Sequence, residues 1–328
     1  RLDRGFQVLL TAYPEAQQEL NYDALQLRRF EPGSLVQTES GRFRISDPWR
    51  RPARALEVAL SPVGSFADKL RIARLRWRSQ KGTTAEIFER SEQTTLEELQ
   101  SLGFSDQMLE RFLRPFLAGI FLDENLDTSS RMLYFVFRMF SRGDIAVPNN
   151  GMGRIAEQLA SRLPVKAVRL NSPVESLQDG EVVLQNGDRL GARAVVVATE
   201  QPAATRLLPE LNSVRAAREV HCVYFAAPRS PLNDRMLLLN GTGHGLVNNV
   251  CVISDIAPGY APDGQALVSI SVLKAVDDVD ELHERVRLEL KTWFGDEVDT
   301  WRHLRTYHIP YALPDQSEPD TLLSLIHI

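Results

Sequence analysis

The feature that most constrains the fold is a run of short apolar segments, separated by glycine turns, between residues 165 and 198. Asp179-Gly180 and Asn186-Gly187 divide the centre of this run. Such dipeptides favour tight hairpins because the central residues of these turns adopt positive φ angles. Residues 194–198 are apolar throughout, which predicts a strand covered on both faces. The run therefore predicts a strand at 165–170, then a β-meander, then a buried strand.

The pattern differs on the two sides of this run. From about residue 14 to residue 150 it is mainly helical, with helices predicted at 52–60, 66–78 and 131–140. Thr94 or Thr95 is a suitable N-cap in that region, and Ser129 and Ser130 precede the helix at 131–140. Ser105 and Asp106 mark the start of a further helix that is expected to run towards Pro115. Beyond the run, the pattern predicts one helix at 279–294 and strands at 220–226, 246–253, 266–273 and 301–309.

Size and charge narrow the classes of protein. The chain has 328 residues, more than one hydrophobic core usually covers, so more than one domain is expected. Its net charge of -5 provides no basic surface for nucleic acid. No apolar run approaches the ~18 residues of a membrane span, and no signal peptide is visible. A cytoplasmic protein without a transmembrane segment is therefore expected.

The residues best suited to bind a metal are scattered. Cys222 and Cys251 form no CxxC pair, and the six histidines show no metal-ligand spacing. His303 and His308 are five residues apart on a predicted strand, which would place them on opposite faces. The sequence predicts reduced cysteines and no metal site.

Residues 66–78 combine an apolar stripe with many cations. Phe66, Leu70, Ala73 and Trp77 fall on one helical face, and five lysine or arginine residues lie largely elsewhere. A basic face of this kind is typical of a solvated helix, although it also suits anionic lipid or an acidic substrate. We interpret the segment as a solvated helix, with peripheral membrane contact as the alternative.

One glycine fingerprint of the dinucleotide-binding type is present. Gly151-Met152-Gly153 is followed by Ala156, opens a helix, and has Glu175 about twenty residues later. A phosphate-binding loop normally follows a buried strand, but here only a short apolar stretch at 145–147 precedes it, broken by Pro148. A structural turn is the favoured interpretation, and an NAD-dependent dehydrogenase is the alternative.

Six segments carry a family signal through their order and spacing along the chain. They are residues 2–8, 112–119, 128–131, 148–153, 168–175 and 192–199. Taken together they resemble the flavin amine oxidases, protoporphyrinogen oxidases and phytoene desaturases. The resemblance covers nearly the whole chain.

The resemblance implies a mixed α/β fold with two domains. A discontinuous, Rossmann-like FAD-binding domain would include residues 1–12 and 143–211. A substrate domain would have a helical part at 13–142 and an antiparallel-sheet part at 212–322. Residues 323–328 match a sequencing-adapter translation and are expected to be a scar, with a short natural strand as the alternative. The family's N-terminal glycine loop and its C-terminal Gly-Asp segment would lie outside the chain, so the resemblance implies an incomplete flavoprotein that is inactive alone.

The resemblance also implies where FAD would be contacted. Arg4-Gly5-Phe6-Gln7 matches the loop beside the isoalloxazine ring, where glycine allows close approach of the backbone. Val174 matches a residue whose main chain contacts adenine, and Thr199 matches a turn near the nucleotide.

The chemistry implied by the family belongs to the flavin, which accepts a hydride equivalent at N5 from a small or hydrophobic organic substrate. His221 matches the position where many amine oxidases have a lysine near N5. An amine substrate and carbon–carbon desaturation therefore both remain open. Tyr307 and Tyr311 are expected to border the substrate site, and no catalytic residue is assigned. A non-catalytic flavoprotein module is a further alternative.

Overall fold

A seven-stranded sheet organises the structure, a computed structural model that describes residues 1–178, 180–211, 217–276 and 278–316. The strands are β1 Leu9–Leu10, β2 Leu27–Arg29, β3 Gly33–Thr38, β4 Gly41–Ser46, β5 Ile145–Pro148, β6 Val174–Gln178, β7 Glu181–Leu184, β8 Arg189–Gly191, β9 Ala217–Ala227, β10 Leu237–Asn240, β11 Val247–Val252, β12 Ala266–Val272 and β13 Arg302–Pro314. The helices are α1 Pro14–Glu19, α2 Ala55–Leu60, α3 Phe66–Gln80, α4 Thr84–Phe88, α5 Thr95–Ser101, α6 Asp106–Met108, α7 Arg114–Phe121, α8 Ser130–Arg142, α9 Gly153–Ala160, α10 Gln201–Leu207, α11 Ile253–Ile256 and α12 Leu282–Phe294.

The large sheet has the strand order β13-β9-β12-β11-β10-β3-β4. Its neighbours are antiparallel except β10 and β3, which are parallel. Two smaller sheets, β1-β5-β2 and β6-β7-β8, stand beside it. The mixed α/β architecture predicted from the sequence is confirmed. None of the helices described is long and apolar enough to cross a bilayer.

The two faces of the large sheet pack against different parts of the molecule. Val223 and Phe225 of β9 point to the face that packs against Val286 and Leu290 of α12. Their neighbours alternate to the opposite face because side chains alternate along a strand. There Cys222 packs in a cluster with the N-terminal segment, and Val36 of β3 packs against the helices α3 to α8. The core is therefore divided among the α12 side, the N-terminal segment and the helical bundle.

Local capping explains where several helices begin. In α3 and α5, Ser65 and Thr94 each accept a hydrogen bond from the N3 amide, and the N3 carboxylate of Asp68 or Glu97 bonds back to the cap. Ser129 caps α8 by accepting a hydrogen bond from the Arg131 amide. These starts agree with the sequence prediction.

The prediction that residues 14–150 are mainly helical is wrong for residues 27–46. These residues form β2, β3 and β4, and the last two strands extend the large sheet. These strands are short. Strand β3 pairs with β10, which lies about two hundred residues further along the chain. The short strand β10 was likewise not predicted.

The two predicted hairpins are present and the two predicted flanking strands are not. Strands β6, β7 and β8 pair as a meander, with Gly180 at a φ of +78° and Gly187 at +88°, although Asp179 lies outside the described residues. The segments 165–170 and 194–198 are irregular and largely exposed, with Val165 92% and Val196 87% exposed. An apolar strand needs a partner strand and cover, and no described strand pairs with either segment.

Two prolines do not end the elements predicted to stop near them. The helix begun by Ser105 continues through a π-helical turn at Leu109–Leu113 into α7, so Pro115 lies where the helical hydrogen-bond pattern changes and does not end the helix. Strand β13 continues past Pro310 because it is an edge strand, where a missing N–H does not break the ladder. The predicted scar at 323–328 lies outside the described residues.

Candidate functional site

The loop Arg4-Gly5-Phe6-Gln7 lies against the face of the large sheet that carries Cys222. Gly5 is buried and has a φ of +94°, a conformation that favours glycine. A β-carbon at this position would lie 2.7 Å from the Ile309 Cδ1 atom of β13. The Phe6 ring meets the ring of Phe30 edge-on, with centroids 6.4 Å apart. The loop therefore holds its backbone close to the sheet, while the Arg4 and Gln7 side chains are exposed.

A cavity of about 190 Å³ adjoins this loop through Phe30. It lies between β3–β4 and the helices, and its wall is mainly apolar. Six of the side chains that line it are Phe30, Ile72, Phe112, Phe116, Phe137 and Phe140. The rings of Phe112 and Phe116 are stacked at 5.6 Å, and Phe116 meets Phe140 at the same distance. The aromatic wall is therefore packed in place before any ligand enters.

The charged groups at the edge of the cavity are already paired. The Asp47 carboxylate lies 3.1 Å from the Arg76 guanidinium. Glu31 is bridged by Arg51 at 3.0 Å. Lys69 donates to main-chain carbonyl groups at the end of α2. Neither carboxylate is left to balance the charge of a bound ammonium group.

The residues predicted to border the substrate are divided between the two sheet faces. Tyr307 belongs to the same cluster as Phe6, and its ring meets Tyr224 edge-on at 6.1 Å. Burial raises the pKa of Tyr224 well above its ordinary value, so this phenol remains protonated. His221 shares the α12 face with Val223, opposite to Phe6. The structure therefore brings Tyr307 to the predicted flavin loop but not His221.

The buried ring of His221 stacks on the exposed ring of His308, with ring centroids 4.4 Å apart. Burial, and next the nearby His308, lowers the pKa of His221, which favours the neutral ring. Neither ring nitrogen of His221 has a hydrogen-bond partner, whereas His308 bonds to Glu219 at 2.9 Å. His303 and His308 lie on one face, contrary to prediction, because a bulge between His303 and Arg305 shifts the alternation by one residue.

The Gly151 turn is filled by a carboxylate from the chain itself. Asp3 accepts hydrogen bonds from the Met152 amide at 3.1 and 3.2 Å and from the Tyr260 hydroxyl at 2.5 Å. The amide at the start of α9 thus already binds an anion, and a second negative group would be repelled. The structure supports the interpretation as a structural turn and argues against NAD binding here. Asp3 was missed because its partners are about 150 and 257 residues away.

Comparison with known proteins decides the family. Residues 1–323 match the family described as flavin containing amine oxidoreductase. The chain belongs to this family. No curated protein is similar enough to match the chain.

Several solved structures share the fold of this chain. An oxidoreductase from Methanosarcina mazei has a TM-score of 0.67 at 17% identity, covering 88% of this chain and 71% of that one. A candidate protoporphyrinogen oxidase from Exiguobacterium sp. 255-15 has a TM-score of 0.63 at 15% identity, covering 95% and 76%. Cyclohexylamine oxidase from Brevibacterium oxydans has a TM-score of 0.59 at 14% identity, covering 88% and 69%. At these identities the likeness shows the fold alone.

A flavin cofactor follows from the family. The close approach at Gly5 in this structure is to Ile309, and the predicted contact of the Arg4–Gln7 backbone with a flat ring stays a prediction. Phe6 connects the loop to the aromatic cavity through Phe30. The nucleotide end is less defined. Val174 begins β6 and Thr199 precedes α10, and both are exposed. Their predicted contacts with adenine and the nucleotide, like those of Tyr311 with substrate, stay predictions. Within the described parts of the chain, no group of three or more His, Cys, Asp or Glu side chains could hold a metal.

Proposed function

We propose that this amine oxidoreductase family member oxidises a neutral, apolar organic molecule with FAD as the cofactor. The observation that carries the proposal is the aromatic cavity. Phe30 lines this cavity and contacts Phe6 of the Arg4–Gln7 loop. Bound flavin would supply the acceptor for a hydride equivalent. The chain's own part is to exclude water from the substrate and to orient it beside the loop.

The cavity suits an uncharged substrate better than an ammonium ion. Transfer of an isolated charge into an apolar site is unfavourable unless a counter-charge receives it. Asp47 and Glu31, the carboxylates at the cavity, are held by Arg76 and Arg51. Carbon–carbon oxidation of a hydrophobic molecule is therefore favoured over oxidation of a charged amine.

Substitution of Ile72 by tryptophan tests the cavity as the substrate site. Ile72 lines the cavity from α3, so a larger ring there would occupy space that a ligand needs. We expect at least a tenfold loss of affinity for the uncharged probe N-phenyl-1-naphthylamine, measured by fluorescence titration. Circular dichroism would verify that the fold is retained.

Leu288→Trp is the matched control because Leu288 is an exposed residue of α12 on the far side of the sheet. Its affinity for the probe should equal that of the wild type. Unchanged binding in Ile72→Trp would contradict the proposal. So would a naphthylmethylammonium ion that binds as tightly as the neutral probe.

We also propose that this chain does not retain FAD at equimolar occupancy and is inactive alone. The one glycine fingerprint in the sequence is the Gly151 turn, and Asp3 already occupies its amide. A pyrophosphate group therefore lacks the helix N-terminus that commonly binds it. Equilibrium dialysis against FAD measures the occupancy, and a stoichiometric yellow complex would refute the proposal.

A further inference from the structure

A cluster of large apolar side chains is exposed on the helical part of the molecule. We call it the apolar rim, formed by Trp49, Leu56, Leu60, Phe66, Leu70 and Trp77, with exposed fractions between 49% and 75%. Sixteen large apolar residues are exposed in the described chain, and six of them fall within these 29 positions. Single exposed apolar residues are normal, but a contiguous group marks a surface that contacts something apolar.

The helices present the rim as one surface. At about 100° per residue, Phe66, Leu70 and Trp77 lie within roughly 40° of one another around α3. The buried Leu75 points to the opposite side of α3 and packs in the helical core. The stripe that the sequence predicts on α3 therefore faces solvent.

A lysine joins the second helix of the rim to the first. The Lys69 Nζ atom donates to the carbonyl groups of Ala59 at 3.0 Å and Ser61 at 2.7 Å, at the end of α2. Leu56 and Leu60 are one turn apart on that helix and are both exposed. The exposed leucines of α2 are thus held beside the stripe of α3.

Cations surround the rim. Residues 49–81 contain nine Lys or Arg and two Asp or Glu, a net charge of +7 in a chain whose net charge is -5. The Lys81 Nζ atom lies 3.4 Å from the ring centre of Trp77, and the Arg76 guanidinium lies 5.0 Å from that of Trp49. Six of the seven arginines pair with carboxylates, and four of these carboxylates lie outside residues 49–81, so the net charge with these partners included is +3. Exposed tryptophan and leucine flanked by basic groups are typical of a surface that binds anionic lipid.

The rim is continuous with the substrate cavity. Trp49 belongs to the rim and also lines the cavity. Val58 of α2 and Ile72 of α3 line the cavity as well, although they are not part of the rim. Because Trp49 is half exposed, the cavity reaches the surface within the rim. A neutral apolar molecule partitions into a bilayer rather than into water.

We propose that the apolar rim docks on the surface of an anionic lipid bilayer, with the mouth of the cavity facing the lipid. The role of the cavity in this arrangement rests on the proposed function, whereas docking itself depends only on the rim. A bilayer is favoured over a protein partner because the apolar side chains and the excess of positive charge occupy the same surface.

Sedimentation with vesicles tests the docking. We expect the wild-type chain to bind phosphatidylcholine vesicles containing 30% phosphatidylglycerol and to bind pure phosphatidylcholine at least tenfold more weakly. The variant Phe66→Ser/Leu70→Ser should lose at least tenfold in partition coefficient on the anionic vesicles. Arg74→Gln/Lys81→Gln should lose about tenfold or more on the same vesicles, because both removed cations attract the anionic surface.

Leu163→Ser/Leu288→Ser is the control, because both leucines are exposed outside the rim. It should bind like the wild type, and all variants should keep the wild-type melting curve. A wild-type chain that stays in the supernatant with both kinds of vesicle would overturn the proposal. A dimer detected by light scattering and abolished by Phe66→Ser/Leu70→Ser would also overturn it, in favour of a second copy as the occupant. Vesicle binding uses no substrate, so its outcome is independent of the probe titration.

Discussion

Replacing Asp68 by asparagine is expected to lower the free energy of unfolding by about 3 kcal/mol at pH 7, because a buried carboxylate loses charge-assisted hydrogen bonds. Asp68 is fully buried at the start of α3. Its carboxylate accepts hydrogen bonds from the amide and hydroxyl groups of Ser65, at 2.8 and 2.6 Å, and of Ser105, at 2.9 and 2.7 Å. The side-chain NH2 group of asparagine cannot accept a hydrogen bond, so it would face the donors of Ser65 or Ser105 without pairing with them. The two helix starts that Asp68 joins would then separate.

The loss should depend on pH. Burial alone would raise the pKa of Asp68, but the hydrogen bonds from Ser65 and Ser105 outweigh it and hold the pKa well below its ordinary value. A depressed pKa in the folded state stabilises the fold above the unfolded-state pKa of about 4 and loses that contribution as pH falls through the folded-state pKa. The difference between wild type and Asp68→Asn should therefore shrink as pH falls from about 4 towards 2.

Urea unfolding at several pH values measures both effects. Asp106→Asn makes the same chemical change at a neighbouring exposed position in the first turn of α6, and should cost only a few tenths of a kcal/mol. Equal losses in the two variants would show that the buried network around Asp68 contributes nothing special. A loss for Asp68→Asn that stays constant down to pH 2 would contradict the depressed pKa.

Replacing Arg138 by methionine is expected to cost about 3 kcal/mol, since the carbonyl groups of Ser79 and Gly82 at the end of α3 lose their donor and that of Lys81 keeps only Arg90. Arg138 of α8 is completely buried. Its guanidinium donates to the carbonyls of Ser79 at 2.8 Å, Lys81 at 2.7 Å and Gly82 at 2.8 Å. These groups end α3, whose last carbonyls have no partner within the helix. Burial lowers the pKa of Arg138, so the carbonyls are what stabilise its charge.

The same change should also lower the affinity of the cavity for the neutral probe, because α3 and α8 both line the cavity. Thermal unfolding and the neutral-probe titration would be measured together for Arg138→Met. Arg138→Lys should recover only part of the loss, since one ammonium cannot reach three carbonyls in the guanidinium geometry. The control is Arg285→Met, at an exposed position of α12, which should leave both quantities unchanged. A wild-type melting temperature in Arg138→Met would mean that water donates the hydrogen bonds to the carbonyl groups at the end of α3.

The local elements were predictable because their signals act over a few residues. Thr94 and Glu97 form a capping box within one turn, and the glycines of the meander permit the positive φ angles of its hairpins. The family was also predictable, since segments spread along the chain carry it in their order. The role of the Gly5 loop beside the flavin stays a prediction, and the tight contact with Ile309 accounts for the glycine in the structure.

Other features were decided only by contacts between distant parts of the chain. The pairing of β3 with β10 turned a predicted helical region into sheet. A single bulge in β13 brought His303 and His308 to one face, which alternation alone predicts wrongly. Segment 194–198 has strand composition, yet it forms no strand without a partner.

The amino-acid sequence by itself determined the helix caps, the hairpins and the membership of a flavoprotein family. The tertiary structure alone decided which face of α3 is covered, which carboxylate fills the Gly151 turn, and that an aromatic cavity meets the Arg4–Gln7 loop through Phe30. The reason is physical. A cap or a turn is stabilised by hydrogen bonds between near neighbours in the chain, whereas burial and ion pairing depend on residues that only the completed fold brings together.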